Sequence, residues 1–465
     1  MRRKAGIAVG ACAALVLSGV AAVTAWAYAG PEPQRVGTWH EAPGVARTPV
    51  AEEAPQAAEA DAVPGRVEAS PTRLAPESAA TPEPEASAED QESDRTESGR
   101  VVESTPAGRG RQQVGELVRV SRLLGYAGGA PEKETFRYPG ASYVKLHFAR
   151  MVMLPGDYVT VSNAAGTESY RYDAPGSTGK WAMSVTGDTA VLEMHRGSGN
   201  LVGSALGHLG VGVDRVARGF SQVEQAKQPE KLISAPGRTG REESVCGSDT
   251  STDAVCYRTA DPMAYTKSKA IARLLINGTE LCTGWRVGAQ NRMLTNNHCF
   301  TNSTEAFGTE VWFNYQCATC GGYDVFKPTK VWGAKVLATD HVYDYTLFTV
   351  GNFASVSKFG YLLLDTVRPV RNQQLYVPQH PAGQPTKIAG SLGEQAGNCS
   401  VVNPAYDGYA AQSDVAYYCD TEGGSSGSPV LSRKTNKVVA LHHFGGCPNS
   451  GVRADLLATK LRAYL

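Results

Sequence analysis

Two regions of the chain show the alternation of apolar and polar positions that is typical of β-strands. In the first, residues 113–214, Val144, Leu146 and Phe148 alternate with polar side chains, and a Pro-Gly-Asp turn then leads into a second alternating run at 158–161. Short runs of this kind, separated by turn residues, predict a small antiparallel β-sandwich. This region contains no constellation of residues with catalytic chemistry.

The second region, residues 246–465, again contains short apolar runs with turns between them. Only its last stretch, 454–465, is typical of a helix, because its four leucines fall on one face. The pattern and the length predict an all-β fold with two β-barrels closed by a C-terminal helix. The runs that we expect to form strands include 270–276, 310–313, 346–350, 374–377 and 438–441.

The N-terminal segments lack both patterns. Basic residues at 2–4 precede an uncharged apolar run, so residues 1–30 predict a secretory signal peptide that is cleaved after Ala-Trp-Ala at 25–27. An uncleaved anchor is the alternative, because the run is almost long enough to span a bilayer. Residues 31–112 are rich in Pro, Ala, Glu and Ser, which predicts a disordered linker or pro-segment. A second linker is predicted at 215–245.

Charge and cysteine usage narrow the classes of function. The 465 residues contain 45 basic and 45 acidic side chains, so no net field favours nucleic acid or an anionic membrane surface. Nine of the ten cysteines lie in the C-terminal half, where an exported chain uses them for disulfide bonds, and an odd number leaves one outside the pairs. Cys317 and Cys320 have no second closely spaced pair as company, so we predict neither a metal site nor a cofactor.

Three segments of the C-terminal region carry residues with the chemistry of acyl transfer. His298 follows an apolar strand, Asp344 opens another, and Ser426 lies in the stretch DTEGGSSGSPV at 420–430. A serine hydroxyl becomes a nucleophile when a base within hydrogen-bond reach removes its proton. The base in turn needs a carboxylate that fixes its tautomer and stabilises the imidazolium. The residues occur in the order His, Asp, Ser, and the stretches of chain between them are long enough for the three to come from different barrels.

The motifs TNNHC (295–299), DYTL (344–347) and GSSGSP (424–429) resemble the three signature segments of trypsin/chymotrypsin-like serine proteases. The greatest likeness is to the secreted bacterial branches that include lysyl and glutamyl endopeptidases. It covers residues 246–465 and implies a double six-stranded β-barrel with a short C-terminal helix. It also implies catalysis without a metal or cofactor.

The resemblance assigns a role to each residue. Ser426 is the nucleophile, because in this motif the reactive serine is followed by Gly and precedes Pro by three positions. His298 acts as general base and then as general acid, and Asp344 orients it, with Asp340 as the fallback. The backbone N–H groups of Gly424 and Ser426 form the oxyanion hole.

Two residues are candidates for substrate binding. Asp420 stands six positions before Ser426, where trypsins keep the carboxylate that binds Lys or Arg, although it or Glu422 alternatively satisfies loop amides. His443 lies in the segment LHHFGG (441–446), which resembles the pocket wall where glutamyl endopeptidases place a histidine for acidic side chains. That histidine alternatively packs against a strand. The sequence therefore leaves basic, acidic and other specificities open.

A bridge between Cys282 and Cys299 would hold the loop that carries the histidine. The resemblance to lysyl endopeptidases implies three more pairs and leaves Cys317 as the odd thiol. These pairs are Cys246–Cys447, Cys399–Cys419, and Cys256 with Cys320 (or with Cys317).

These observations predict a secreted, extracellular or periplasmic serine endopeptidase that acts on protein or peptide substrates, without nucleic acid and without stable membrane association after signal cleavage. Ser425 stands where vertebrate-type trypsins carry the Asp that receives the new N-terminal amine. We therefore expect zymogen latency to come from residues 31–245 covering the cleft, and a cut near Arg238 or Arg241 to end it. The alternative is a secreted binding protein whose sandwich carries the function and whose protease-like domain is weakly active or inactive.

Overall fold

The computed structural model describes residues 35–38, 110–126, 131–173, 180–196, 209–229, 245–390 and 399–465. The predicted signal peptide, most of the segment 31–112, and both Arg238 and Arg241 lie outside these residues. Strand β1 (Arg35–Thr38) is described in its backbone and pairs antiparallel with Asp324–Phe326. Within the described ranges, no helix combines the length and the apolar composition that crossing a membrane requires.

Ten strands lie within the described residues between 110 and 219. They are β2 (Gln112–Gln113), β3 (Gly115–Gly125), β4 (Lys133–Arg137), β5 (Tyr143–Val152), β6 (Tyr158–Asn163), β7 (Ser169–Asp173), β8 (Lys180–Trp181), β9 (Val185–Thr186), β10 (Thr189–His195) and β11 (Gly210–Gly219).

Strands β3 to β11 form two antiparallel sheets that share one hydrophobic core. One sheet has the order β4-β10-β6-β7, and the other has the order β3-β11-β5-β8 with β9 paired to β5. In β6 the buried positions alternate, as the period of two requires, and Val159 and Val161 enter the core that Leu146 and Phe148 of β5 also line. Strand β11 continues past the predicted boundary at residue 214. It is followed by α1 (Gln222–Gln225).

The first barrel of the C-terminal region is a closed ring of six strands. The strands after α1 are β12 (Thr252–Asp253), β13 (Ile271–Ile276), β14 (Glu280–Arg286), β15 (Met293–Thr295), β16 (Thr309–Phe313), β17 (Asp324–Phe326), β18 (Thr329–Asp340) and β19 (Tyr345–Val350). The order is β13-β16-β18-β19-β15-β14, and pairing between β13 and β14 closes the ring. Strand β2 adds to the free edge of β14.

The second barrel is built from the strands that follow. They are β20 (Leu375–Gln379), β21 (Lys387–Ala389), β22 (Val401–Tyr406), β23 (Asp414–Tyr417), β24 (Pro429–Ser432), β25 (Val438–Phe444) and β26 (Asn449–Arg453). The sheet order is β12-β21-β20-β24-β25-β26-β23-β22. A bridge between Gln374 and Ser400 joins the start of β20 to the start of β22, which closes a ring of six strands.

The helices of the C-terminal region are short. They are α2 (Tyr257–Ala260), α3 (Pro262–Ser268), α4 (Ser303–Phe307), α5 (Phe353–Val356) and α6 (Ala454–Leu461), with 3₁₀ turns at Ala254–Cys256, Ser357–Phe359 and Pro381–Gly383. The C-terminal helix α6 buries Leu457 and Leu461, whereas Leu465 lies beyond its end and is exposed. The all-β fold class, with its two barrels and its short C-terminal helix, is thus confirmed.

Candidate active site

The candidate base lies in a turn directly after β15. This strand ends at Thr295, and the disulfide between Cys282 of β14 and Cys299 fixes the far end of the turn. His298 Nδ1 lies 2.8 Å from Asp344 Oδ2, and the backbone N–H of His298 donates to Asp344 Oδ1 at 3.0 Å. Two hydrogen bonds to one carboxylate fix the orientation of the ring and favour the tautomer with the proton on Nδ1.

Asp344 is buried in the turn directly before β19, with 1% of its surface exposed. Its φ of +38° places it in the left-handed region, and Asn296 Nδ2 donates to its carbonyl oxygen at 2.9 Å. Burial by itself would raise the pKa of Asp344, but the charge and hydrogen bonds of His298 and His443 outweigh it and hold this pKa well below its usual range. The carboxylate is therefore ionised at neutral pH.

The turn that carries Ser426 is hydrogen-bonded to strand β14. The backbone N–H of Thr283 donates to Ser426 O at 2.8 Å, and Thr283 Oγ1 donates to Gly424 O at 2.9 Å. Thr283 directly follows Cys282, whose disulfide holds the histidine turn. Strand β14 is therefore linked to both halves of the candidate site, which lie on different barrels.

Two glycines shape the serine turn. Gly424 has a φ of +96° and Gly427 a φ of +88°, a region that residues with a Cβ rarely adopt. A Cβ at Gly424 would collide with the side chain of Leu281, and one at Gly427 would collide with the carbonyl of Thr283. Across the described residues, the amides of Gly424 and Ser426 donate to no backbone carbonyl. These are the two amides that the sequence assigns to the oxyanion hole.

The second ring nitrogen of His298, Nε2, is the atom that would accept the proton of Ser426. It is buried and makes no hydrogen bond to any residue that the structure describes, Ser426 included. Catalytic hydrogen bonds in ligand-free sites are often long and tighten only when substrate binds.

The sequence predicts that His443 binds an acidic substrate side chain, but in the structure both of its ring nitrogens contact carboxylates of the protein. It is 1% exposed, with Nδ1 3.1 Å from Asp344 Oδ2 and Nε2 2.6 Å from Asp414 Oδ2. Burial lowers the pKa of His443, but Asp414 and Asp344 outweigh this effect and raise it to about 9. His443 is therefore an imidazolium at neutral pH that links two buried carboxylates.

Sequence reasoning missed Asp414. This residue opens β23 and is fully buried, with Ser413 Oγ donating to Oδ1 at 2.8 Å and Ser450 Oγ donating to Oδ2 at 2.9 Å. The only signal in the sequence was a lone acid at the start of the apolar run Asp414–Tyr417. The hydrogen-bonded series runs from His298 through Asp344 and His443 to Asp414.

The other acidic candidates, Asp420 and Asp340, accept hydrogen bonds from backbone amides of loops. Asp420 Oδ1 accepts from the backbone N–H of Cys246 at 3.2 Å, and Oδ2 accepts from the N–H and Oγ1 of Thr250 at 2.9 and 2.6 Å. Burial raises the pKa of Asp420. Since both of its oxygens have protein partners, the geometry favours the structural alternative over binding of Lys or Arg. The fallback Asp340 accepts from two amides of its own turn, those of Val342 and Tyr343.

The structure pairs eight cysteines in four disulfides, with the partners named above and with Cys320 as the partner of Cys256: Cys246–Cys447, Cys256–Cys320, Cys282–Cys299 and Cys399–Cys419. Cys317 is buried and lies outside these bonds. Cys282, His298 and Cys299 place potential ligand atoms close together. The two sulfurs share a disulfide, however, and are not available as thiolate ligands.

Residues 282–441 match a family model described as a trypsin-like peptidase domain. The protein named "Secreted RxLR effector protein 73" from Plasmopara viticola is 39% identical over 231 residues, which cover 48% of this chain and 56% of that protein. The match thus spans about half of the length of that relative.

Solved structures that are similar to this chain include two proteases. A Glu endopeptidase in complex with MPD shows 20% identity and a TM-score of 0.35, and the match covers 47% of this chain and 98% of that one. The HtrA-type protease AlgW with a tripeptide shows 11% identity and a TM-score of 0.32, covering 44% and 62%. The region that matches the trypsin-like peptidase domain model, 282–441, contains His298, Asp344 and Ser426.

Proposed function

We propose that this protein is a secreted serine endopeptidase that hydrolyses peptide bonds through an acyl-enzyme on Ser426. The observation that carries the proposal is the pairing of His298 with the buried Asp344, joined at 2.8 Å, on the strand network that also holds the serine turn. An ionised carboxylate on Nδ1 of a histidine is what a general base for a serine hydroxyl requires. The match to trypsin-like peptidases supports the same reading.

In the proposed reaction, His298 Nε2 takes the proton of Ser426 Oγ as the oxygen attacks the scissile carbonyl. The amides of Gly424 and Ser426 donate to the oxyanion that develops on the carbonyl oxygen. The imidazolium then protonates the leaving amine, which breaks the peptide bond, and water repeats the sequence on the ester. Asp344 keeps its charge throughout and stabilises the imidazolium.

Protein or peptide chains are the proposed substrates, and their side-chain preference stays open. The predicted preference for Lys or Arg has little support, because the carboxylate of Asp420 holds the segment around Cys246 and Thr250. Export is part of the proposal, since four disulfides suit an oxidising compartment. The name of the relative from Plasmopara viticola describes that relative as secreted.

Labelling with a fluorophosphonate tests the proposal. The probe reacts with an activated serine, and mass spectrometry of the labelled chain is expected to find it on Ser426. Ser426→Ala and His298→Ala should abolish labelling. Ser428→Ala is the matched control, because Ser428 lies in the same turn and its buried hydroxyl has no hydrogen-bond partner among the described residues. Absence of label from the folded wild-type chain would contradict the proposal and favour a binding protein, whose function Ser426→Ala would leave intact.

A further inference from the structure

A segment of this chain lies as an added strand beside the candidate active site. Strand β2 pairs antiparallel with the edge of β14, with Gln112 opposite Leu281 and Gln113 opposite Glu280. The following residue, Val114, continues the contact, because its N–H donates to Thr279 O at 2.8 Å. An extended chain on a free β-strand edge is one of the common ways in which proteins hold peptides.

The side chain of Arg111 fastens the start of this segment. Its Nη1 lies 2.9 Å from Glu280 Oε2, and its Nη2 lies 2.7 Å from Glu305 Oε1. Its Nε donates to the backbone carbonyl of His298 at 3.4 Å. Arg111 and Gln112 are both buried. One guanidinium therefore connects the segment to two carboxylates and to the histidine turn.

The same segment also adjoins the serine side of the site. Leu281, the partner of Gln112, packs so closely on the serine turn that a Cβ at Gly424 would collide with it. Val114 lies close to the turn that contains Gly383, where an added Cβ would be 3.0 Å from Val114 Cγ1. That turn is in turn hydrogen-bonded to the serine turn, since Ala382 N donates to Gly423 O at 2.8 Å.

We propose that residues 110–114 form an internal strap that occupies part of the surface on which an extended substrate would bind. The inference rests on the proposed function, because it takes the site of His298 and Ser426 as peptide-binding. A substrate chain that reaches Leu281 has to compete with the strap for the edge of β14. The strap thereby limits which peptides the site accepts.

A cluster of buried charges holds the strap in place through the sandwich. Lys145 of β5 pairs with Glu310 of β16 at 2.5 Å, and Lys330 of β18 pairs with Glu168 of the sandwich at 2.5 Å. All four side chains are at most 1% exposed. Ser184 completes the cluster, because its N–H and Oγ donate to the two oxygens of Glu310 at 2.9 and 2.6 Å.

This cluster explains why β5 is buried on both faces at 143–148. One face packs in the sandwich core and the other packs on the first barrel, where Tyr143 Oη also donates to Gly278 O at 2.8 Å. Separating the sandwich from the barrel would expose the apolar cluster that Val114 and Tyr143 form with Leu281 and Trp312, which is unfavourable. The strap continues directly into β3 of the sandwich. A cut at Arg238 or Arg241 alone therefore leaves the strap on β14, unlike the release that the sequence predicts.

The experiment weakens the contacts of the strap with β14 and measures the affinity with which a separate peptide of the same sequence binds in its place. Full-length chains carrying Ser426→Ala, which excludes cleavage, are titrated with a fluorescein-labelled peptide of the strap sequence Gly-Arg-Gln-Gln-Val-Gly (110–115), and binding is followed by anisotropy. Adding Arg111→Ala should increase the affinity for this peptide by at least about tenfold, because the competing segment has lost its ion pairs with Glu280 and Glu305. Arg119→Ala, which removes an exposed guanidinium from β3, is the matched control and should change nothing.

Glu305→Gln provides a second variant that leaves Arg111 in place. It removes a carboxylate that the arginine of the strap and the arginine of the labelled peptide would both use, so the two losses offset each other and the affinity should change much less than with Arg111→Ala. The proposal would be overturned if the Arg111→Ala and parent chains bound the labelled peptide with equal affinity, or if the Arg111→Ala chain did not bind it. The measurement needs no catalysis, so its failure is distinct from a failure of Ser426 to react with a fluorophosphonate.

Discussion

The charge that His443 places between two buried carboxylates should be visible in the pH dependence of stability. The perturbation is His443→Asn, whose amide nitrogen can replace Nδ1 towards Asp344 but carries no charge and does not reach Asp414. Asp414 keeps the hydroxyls of Ser413 and Ser450 as donors. The variant thus removes the titration of residue 443, and its smaller side chain adds a loss of packing that does not depend on pH.

The magnitude follows from the pKa of His443, which is raised from 6.5 to about 9 in the folded protein. A raised pKa means that protonation stabilises the folded state. This contribution is complete below about pH 6.5 and is lost as the pH rises through about 9. A pKa that differs by one between the folded and unfolded states corresponds to about 1.4 kcal/mol. The wild-type protein should therefore lose on the order of 3 kcal/mol of unfolding free energy between about pH 6.5 and pH 9.

The assay is denaturant unfolding of wild-type and His443→Asn chains, with disulfides intact, at several pH values between about 6 and 9.5. The free energies should differ most below about pH 6.5 and converge towards pH 9. His341→Asn makes the same exchange at an exposed histidine in the turn before Asp344 and is the control, which should not reproduce the effect of His443→Asn. Parallel curves for wild-type and His443→Asn would refute the assignment of a buried imidazolium at this position.

Two further predictions concern the serine turn and the segment before it. Gly424→Ala introduces a Cβ at a φ of +96° and against Leu281, so we expect a loss of about 1–3 kcal/mol of unfolding free energy and slower fluorophosphonate labelling of Ser426. Gly360→Ala has a φ of +76° but open space around it, and equal losses in both variants would show that the collision with Leu281 does not matter. Asp420→Ala removes the acceptor of the Cys246 and Thr250 amides, which should lower stability by about 2 kcal/mol and leave the side-chain preference in a peptide-library digest unchanged. Specific loss of cleavage after Lys and Arg would instead restore Asp420 as the pocket carboxylate.

Much of the fold could be predicted because strand patterns are local. Alternation at Val144, Leu146 and Phe148 predicts a strand, and the structure buries all three in the sandwich core. The apolar run at 438–441 likewise lies within β25. Such patterns require only neighbouring residues, since the period of two follows from the geometry of a single strand.

In the candidate site, too, the features that depend on neighbouring residues could be predicted, and those that depend on distant residues could not. His298, Asp344 and Ser426 could be selected from the sequence because each lies in a short motif, and the structure joins the first two directly. The roles of Asp420 and His443 could not be decided in that way. Their motifs place them near the serine turn, but which group each one contacts depends on residues far away in the chain.

What only the tertiary structure decided is how these distant segments meet. Asp414 reaches His443 because β23, β26 and β25 are neighbours in the second barrel, although the two residues lie 29 positions apart. Gln112 of the strap pairs with Leu281, which lies 169 positions later in the chain, and no local pattern in the sequence indicates this pairing. Strand alternation fixes which side of a strand is apolar, whereas the edge on which a strand pairs is set by the packing of the whole chain. The sequence by itself therefore determined the elements and the three candidate catalytic side chains, and tertiary packing determined the partners of those side chains and the segment that pairs with the edge of β14.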